Sequence, residues 1–265
     1  MCGRYLITSS PEAVRRLFGY REQPNFPPRY NVAPTQAIPI VRLAGGERQF
    51  ALVRWGLIPA WVKDPKAFSL VINARSDAVL DKPSFRNAMK RRRCLIPADG
   101  FYEWKADGPR KRPHAVVPRD GKPVAFAGLW EAWMGPNGEE METAAIVTAD
   151  ATRSLAHIHH RMPVVIAPEA FDLWLDCRNV DAHTAAALLV PPPEGLFEAY
   201  EISTMVNRVA NDTAEVLAPA GAAPEPAGDR DPATQAQPDV AQTRAAGGPR
   251  RPRKPRKDDR QSSLF

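Results

Sequence analysis

An α+β domain with a predominantly β middle is what the sequence predicts, and three observations carry that prediction. Short apolar, β-rich runs recur between residues 38 and 148, separated by glycine or proline turns. Helix start signals stand outside this stretch, as at Ser10-Pro11-Glu12, and again in the segments 168–177 and 181–189. With 265 residues, 44% of them hydrophobic and 25% charged, the chain has enough apolar material for one large core. A shift near residue 218 to Ala, Pro, Gly, Asp and Gln ends the folded part. It gives a domain over residues 2–217 and a tail over 218–265 with almost nothing to bury, expected to be disordered.

Residues 2–8 read as a short strand with Tyr5 and Ile7 on one face. The helix opened by Ser10 as N-cap runs to about Gly19. Residues 24–34 are rich in proline, so Arg29-Tyr30-Asn31-Val32-Ala33-Pro34-Thr35 cannot be a regular helix and is expected to form a wrapped loop. Residues 38–43 and 49–55 flank Gly45-Gly46 as a hairpin, followed by Gly56-Leu57-Ile58-Pro59-Ala60-Trp61. Residues 71–75 form a short extended piece, and 83–92 a helix with a basic end. A strand pattern then runs from Arg93 to Trp104, with further strands at 114–117, 124–130 and 143–148. Asp150-Ala151-Thr152 is expected to cap a short helix leading into His157-Ile158-His159-His160, before a strand at 164–166. Residues 200–209 close the domain.

The net charge of +6 favours polyanionic partners, although much of the excess lies in the tail. Three widely separated cysteines fit a reducing compartment better than a disulfide framework, which makes the cytoplasm the expected location. No signal peptide or long apolar span is present, so neither secretion nor membrane insertion is expected.

The chemistry begins at Cys2. Its small side chain is compatible with removal of Met1, which would leave a thiol and a free amine on adjacent carbons of one residue. The amine, with a pKa of about 7.7–8.0, and the thiol, with a pKa of about 8.5, both offer reactive forms near neutrality. Such a 1,2-aminothiol condenses with an aldehyde to an imine, and then closes to a thiazolidine. From position alone, Cys2 reads rather as an accidental second residue or a small packed hydrophobe. Asn73 and Arg75 alternate along an extended segment and share a side, suited to holding a ligand or a structural hydrogen bond. Glu103, between Tyr102 and Trp104, is either an edge-strand carboxylate in water or an acid whose pKa desolvation raises. The cluster His157-Ile158-His159-His160 lacks the spacing of a helical zinc pair, so no metal and no cofactor is expected.

Together, Cys2-Gly3-Arg4, Tyr30-Asn31-Val32-Ala33-Pro34-Thr35, Arg54-Trp55-Gly56-Leu57-Ile58-Pro59, Asn73-Ala74-Arg75, Gly100-Phe101-Tyr102-Glu103-Trp104 and His159-His160-Arg161-Met162-Pro163 resemble the SOS-response-associated peptidase (SRAP) family of abasic-site processing proteins. The resemblance spans about residues 2–210 with the motifs in family order. It implies a single domain with a large antiparallel, barrel-like β core and peripheral helices. It also implies that Cys2 traps the aldehyde of an abasic site in single-stranded DNA as a thiazolidine crosslink, with Asn73, Glu103 and His159 as its catalytic partners. Arg4, Arg75 and Arg161 would contact phosphates, and Trp55, Trp61 and Trp104 would offer stacking surfaces. A monomer is expected. Two alternatives remain: a thiol peptidase built on Cys2, Glu103 and His159, and a noncovalent single-stranded DNA adaptor.

The tail adds a basic run at 249–257 and ends in Gln261-Ser262-Ser263-Leu264-Phe265. That pentapeptide resembles the bacterial sliding-clamp-binding motif, with serine in place of the usual second-position leucine. Gln261, Leu264 and Phe265 are its expected contacts.

Overall fold

The protein, described here by a computed structural model, is placed over residues 2–221. The chain opens with β1 (Arg4–Ile7) and α1 (Pro11–Phe18). Ser10 caps α1 by accepting the Ala13 N–H at 3.2 Å, and Gly19, in the left-handed conformation, closes it with its N–H on the Arg15 carbonyl. The segment expected to be a wrapped loop instead contains a strand, β2 (Arg29–Val32), antiparallel to β1 with Tyr5 opposite Val32. Pro27, Pro28 and Pro34 bracket this strand rather than interrupt it, so its N–H groups stay available for pairing.

The hairpin β3 (Ala37–Ala44) and β4 (Glu47–Trp55) forms about Gly45-Gly46, both with positive φ, as the turn requires. β5 (Asn73–Arg75) and α2 (Arg86–Arg91) follow. The pattern from 93 to 104 is two strands, β6 (Arg93–Ala98) and β7 (Gly100–Asp107), which lie in different sheets. The break is chemical. Gly100 has φ 153, and a Cβ there would lie 2.6 Å from the Val116 carbonyl oxygen. Asp99 turns aside to accept the N–H groups of Thr8 (2.5 Å) and Ser9 (2.7 Å).

β8 (Arg110–Pro118), β9 (Val124–Met134) and β10 (Glu140–Asp150) are longer than their apolar centres indicate. The helix expected after Asp150 does not form. Residues 153–158 make turns, because β11 (Arg161–Pro163) must reverse at once to pair with β10, Asp150 opposite Arg161. β12 (Val165–Ile166), α3 (Phe171–Leu175), α4 (Ala182–Ala186) and β13 (Phe197–Glu201) complete the regular elements, both helices being shorter than expected.

Strands β10, β4, β3, β6 and β9 pair in sequence, and β9 pairs back to β10, so five strands close a ring. The core is therefore barrel-like, as expected, but not purely antiparallel: β4 and β5 both run parallel to β10. A second sheet, in the order β13-β8-β7-β1-β2, packs its inner face on this barrel, with Phe101 edge-on to Phe126 at 6.1 Å. No helix among the described residues is long and apolar enough to cross a membrane.

After β13, Ala220 N–H reaches the Glu201 carbonyl at 2.9 Å, so hydrogen bonding to the domain continues past residue 217. The strap from Ser203 to Ala220 is fastened by buried Asn31. Its side chain accepts from Arg4 Nη1 at 2.6 Å and donates to the carbonyls of Val206, Arg208 and Asn211 at 2.8–3.1 Å. Asp212 completes the clasp, accepting from Arg29 Nε and the Tyr30 N–H, both at 2.5 Å. Asn31→Ala takes this shared partner away from three carbonyls and from the Arg4 guanidinium. We expect it to lower stability by about 2–4 kcal/mol in urea denaturation; an unchanged midpoint contradicts this role. Residues 222–265, with Gln261, Leu264 and Phe265, lie outside the described residues.

Candidate active site

Antiparallel pairing of β1 with β7 sets Arg4 opposite Tyr102 and brings the segment before β1 alongside Glu103. Cys2 is fully buried there, with its S–H directed to the Arg4 carbonyl at 3.6 Å. β5 crosses beside it, and Asn73 Nδ2 donates to the Cys2 carbonyl at 2.9 Å. That bond fixes the backbone at Cys2. The other end of the same amide, Asn73 Oδ1, is buried without a partner among the described residues, an acceptor for an amine or a sugar hydroxyl.

Burial pushes the Cys2 thiol up, and the Glu103 carboxylate pushes it further, while the positive amino terminus pulls it down. Removal of Met1 moves that positive charge onto Cys2 itself and so favours the thiolate. Glu103 is only 5% exposed, and burial raises its pKa against the pull of the amino terminus. Of its two sequence readings, the desolvated acid is the one the fold produces. His159 lies in the turn before β11, where the Arg161 N–H donates to Nδ1 at 2.9 Å. The same Nδ1 stands 3.1 Å from the Arg161 carbonyl, so either ring tautomer finds a partner on the Arg161 backbone. Burial lowers the His159 pKa, with the amino terminus the next cause, so the ring is neutral at pH 7. His160 stacks on it at 4.3 Å. Glu103, His159, Arg161 and Phe101 line a cavity of about 10 Å³, room for about one water.

Cys2, Asn73, Glu103 and His159 are thus brought together from four separate stretches of chain. The cationic set divides. Arg161 is 5% exposed and its two terminal nitrogens hold Asp150 (2.8 Å) and the Thr148 carbonyl, so those nitrogens are withdrawn from phosphate contact, while Nε is buried without a partner among the described residues. Arg4 is likewise engaged, by Asn31 and by the carbonyls of Val206 (2.8 Å) and Asn207 (3.2 Å). Arg75 is exposed and holds Asp77 through two bonds at 3.0 and 2.5 Å, an arrangement that a phosphate can replace.

The tryptophans divide in the same way. Trp55 is wholly buried, with its indole N–H on the Ile72 carbonyl at 3.0 Å, so it is core and not a stacking surface. Trp104 is half-buried and held by Asn207 Oδ1 at 2.8 Å. Trp61 is 59% exposed and stands edge-on to Phe68, beside a cleft of about 510 Å³ lined by Arg54, Lys66, Phe68 and Leu70. Thr35, also in that lining, has φ 74, a costly conformation for a β-branched residue. Trp61→Ala is expected to weaken single-stranded DNA binding by about 1–3 kcal/mol without loss of stability. Trp55→Ala is expected to lower stability by about 3–5 kcal/mol. Fluorescence anisotropy with an unmodified oligonucleotide, beside thermal unfolding, checks both. Equal effects of the two substitutions on binding and stability contradict the division.

Sequence reasoning assigns no role to Phe68, Leu70 or Asp212. Phe68 and Leu70 carry a weak signal as apolar residues in a proline-bounded loop; Asp212 carries none, since its partners lie about 180 residues away. Among the described residues, no group of three or more His, Cys, Asp or Glu side chains is arranged to hold a metal ion.

The chain is 37% identical over 221 residues to abasic site processing protein YoqW of Bacillus subtilis (strain 168), a match covering 82% of this chain and 99% of that protein. It is 33% identical over 263 residues to abasic site processing protein HMCES of Gallus gallus, covering 83% of this chain and 78% of that one. A crystal structure of a protein from Bacteroides thetaiotaomicron shares 28% identity and a TM-score of 0.74, covering 83% of this chain and 100% of the other. The model of the SOS response associated peptidase (SRAP) family matches residues 1–209, so this chain belongs to the SRAP family.

Proposed function

We propose that the protein processes abasic sites in single-stranded DNA by trapping their ring-opened aldehyde on Cys2. The observation that carries this reading is the hydrogen bond from Asn73 to the Cys2 carbonyl beside buried Glu103, which holds the future terminus where an acid and a neutral histidine converge. The names of the relatives support the lesion. After removal of Met1, the Cys2 amine attacks the aldehyde carbon and water leaves, giving an imine. The thiol then adds to the imine carbon, forming the C–S bond, while its proton ends on nitrogen. Glu103 takes the amine proton in the first step, and His159 donates a proton as the deoxyribose ring opens. Holding the two groups on adjacent carbons supplies effective molarities of up to about 10⁵–10⁸ M in favourable cases, which offsets a thiol kept protonated by burial. Arg75 and Trp61 contact the strand.

The peptidase reading asks for a standing thiolate, and burial of Cys2 opposes one. The terminal Gln261, Leu264 and Phe265 are assigned to a sliding clamp, a contact that would raise local concentration near exposed single strands. The test compares single-stranded oligonucleotides carrying an abasic site or its tetrahydrofuran analogue, which has no aldehyde. A heat-stable adduct with the first alone supports the reading; adducts with both, or with neither, overturn it.

A further inference from the structure

β5 ends on Arg75, two residues beyond Asn73, whose amide holds the Cys2 carbonyl. Of the three arginines expected at phosphates, Arg75 is the exposed one; Arg4 is half-buried and Arg161 buried. Its guanidinium is nonetheless occupied. Asp77 turns back onto it and accepts from Nε at 3.0 Å and from Nη2 at 2.5 Å, a two-pronged clasp that a phosphate makes with the same pair of nitrogens. Backbone bonds fix the turn that brings Asp77 there. The Ala78 N–H donates to the Arg75 carbonyl and the Ser76 N–H to the Thr148 carbonyl, both at 2.9 Å.

The clasp does little for the fold. The two side chains are 54% and 55% exposed, and an ion pair so open to water contributes little stability. What it changes is the charge beside the site. Parallel pairing of β5 with β10 sets Arg75 opposite Thr148, and antiparallel pairing of β10 with β11 sets Asp150 opposite Arg161, which it binds at 2.8 Å. Each carboxylate also acts on the other arginine: Asp150 raises the Arg75 pKa, and Arg161 lowers that of Asp77. Two guanidiniums and two carboxylates therefore offset one another here, where a strand would have to lie to present its lesion to Cys2.

We infer that Asp77 is a built-in competitor for Arg75. A strand phosphate and the Asp77 carboxylate take the same two nitrogens, so one leaves when the other binds. The strand reaches Arg75 only by displacing Asp77, which keeps the noncovalent hold on undamaged single strands weak. A lesion is retained by its covalent bond and needs no tighter hold. The inference rests on Arg75 as a strand contact in the reading above, but its test uses unmodified DNA and no chemistry at Cys2.

The experiment is a double-mutant cycle on the binding of an unmodified single-stranded oligonucleotide to the full-length protein, read by fluorescence anisotropy at one fixed salt concentration. Asp77→Ala should tighten binding about three- to fivefold, the equivalent of an exposed ion pair. Arg75→Ala should weaken it. In Arg75→Ala protein, the further change Asp77→Ala should retain at most a small part of its gain. Asp77→Asn keeps the size of the side chain and decides the matter if alanine disturbs the turn. Thermal unfolding should be alike in all the variants, since both side chains are exposed. Equal gains with and without Arg75 make Asp77 merely a nearby negative charge and overturn the inference. So do the absence of any gain and an Arg75→Ala protein that binds like wild type. A gain that depends on Arg75, in a protein that never crosslinks an abasic site, keeps the competitor and removes the function proposed above. Normal crosslinking with equal gains in both backgrounds removes the competitor alone.

Discussion

Cys2→Ala is expected to abolish every covalent adduct with abasic single-stranded DNA while leaving noncovalent affinity within about twofold of wild type. Alanine at position 2 still permits removal of Met1, so the variant keeps a free α-amine and loses only the sulfur. An amine alone forms an imine, which hydrolyses on heating; the C–S bond makes the product persist. The fold should tolerate the change. Cys2 is buried but small, and the hydrogen bond of its side chain among the described residues is a long S–H contact to a carbonyl, so the stability loss should be about 1 kcal/mol. Denaturing gel electrophoresis after heating reads the adduct, and anisotropy with the tetrahydrofuran oligonucleotide reads affinity. A heat-stable adduct in the variant would show that another nucleophile does the work. Loss of affinity together with the adduct would show only that the site had collapsed.

Glu103→Gln should slow crosslinking about 10²–10⁴-fold, the usual contribution of a positioned acid or base, and should do so without destabilising the protein. The sign of the stability effect follows from burial. Because the folded-state pKa of Glu103 is raised, the fold prefers the protonated acid. That preference is fully met below the unfolded value of about 4.3 and is lost as pH rises through the folded pKa. Glutamine does not titrate, so the variant should match wild type in acid and become the more stable of the two toward neutrality. The acid limb of the wild-type rate profile should lie above the ordinary carboxylate range and vanish in the variant. Thermal unfolding and single-turnover rates across pH measure both effects. A variant that crosslinks at the wild-type rate removes Glu103 from the mechanism, and one that is less stable at neutral pH contradicts a net cost of burying the charged acid.

Features decided by neighbouring residues are legible in the sequence alone. Ser10 and Gly19 bound α1 because capping needs only a few residues, and Gly45-Gly46 sets the β3–β4 hairpin for the same reason. The desolvation of Glu103 is legible as one of two readings from Tyr102 and Trp104 on either side. Features that depend on distant partners are not legible in this way. Nothing local in Arg29–Val32 reveals that β1 pairs with it, or that Asn31 binds carbonyls 175–180 residues away. Arg4 and Arg161 read as surface cations because arginine is mostly exposed, yet both are held by acceptors from other elements. Trp55 and Trp61 are six positions apart in one glycine- and proline-punctuated stretch. Only the barrel decides that the first is core and the second faces solvent.

The central claim is a thiazolidine between Cys2 and the lesion, and intact mass is its most direct test. Purified protein is weighed alone and after incubation with a single-stranded oligonucleotide carrying one abasic site. The expected result is a chain lacking Met1 and, after heating, a species heavier by the oligonucleotide less one water, with the modified peptide beginning at Cys2. Retention of Met1 in a protein that still crosslinks, or absence of the adduct once Met1 is gone, contradicts it.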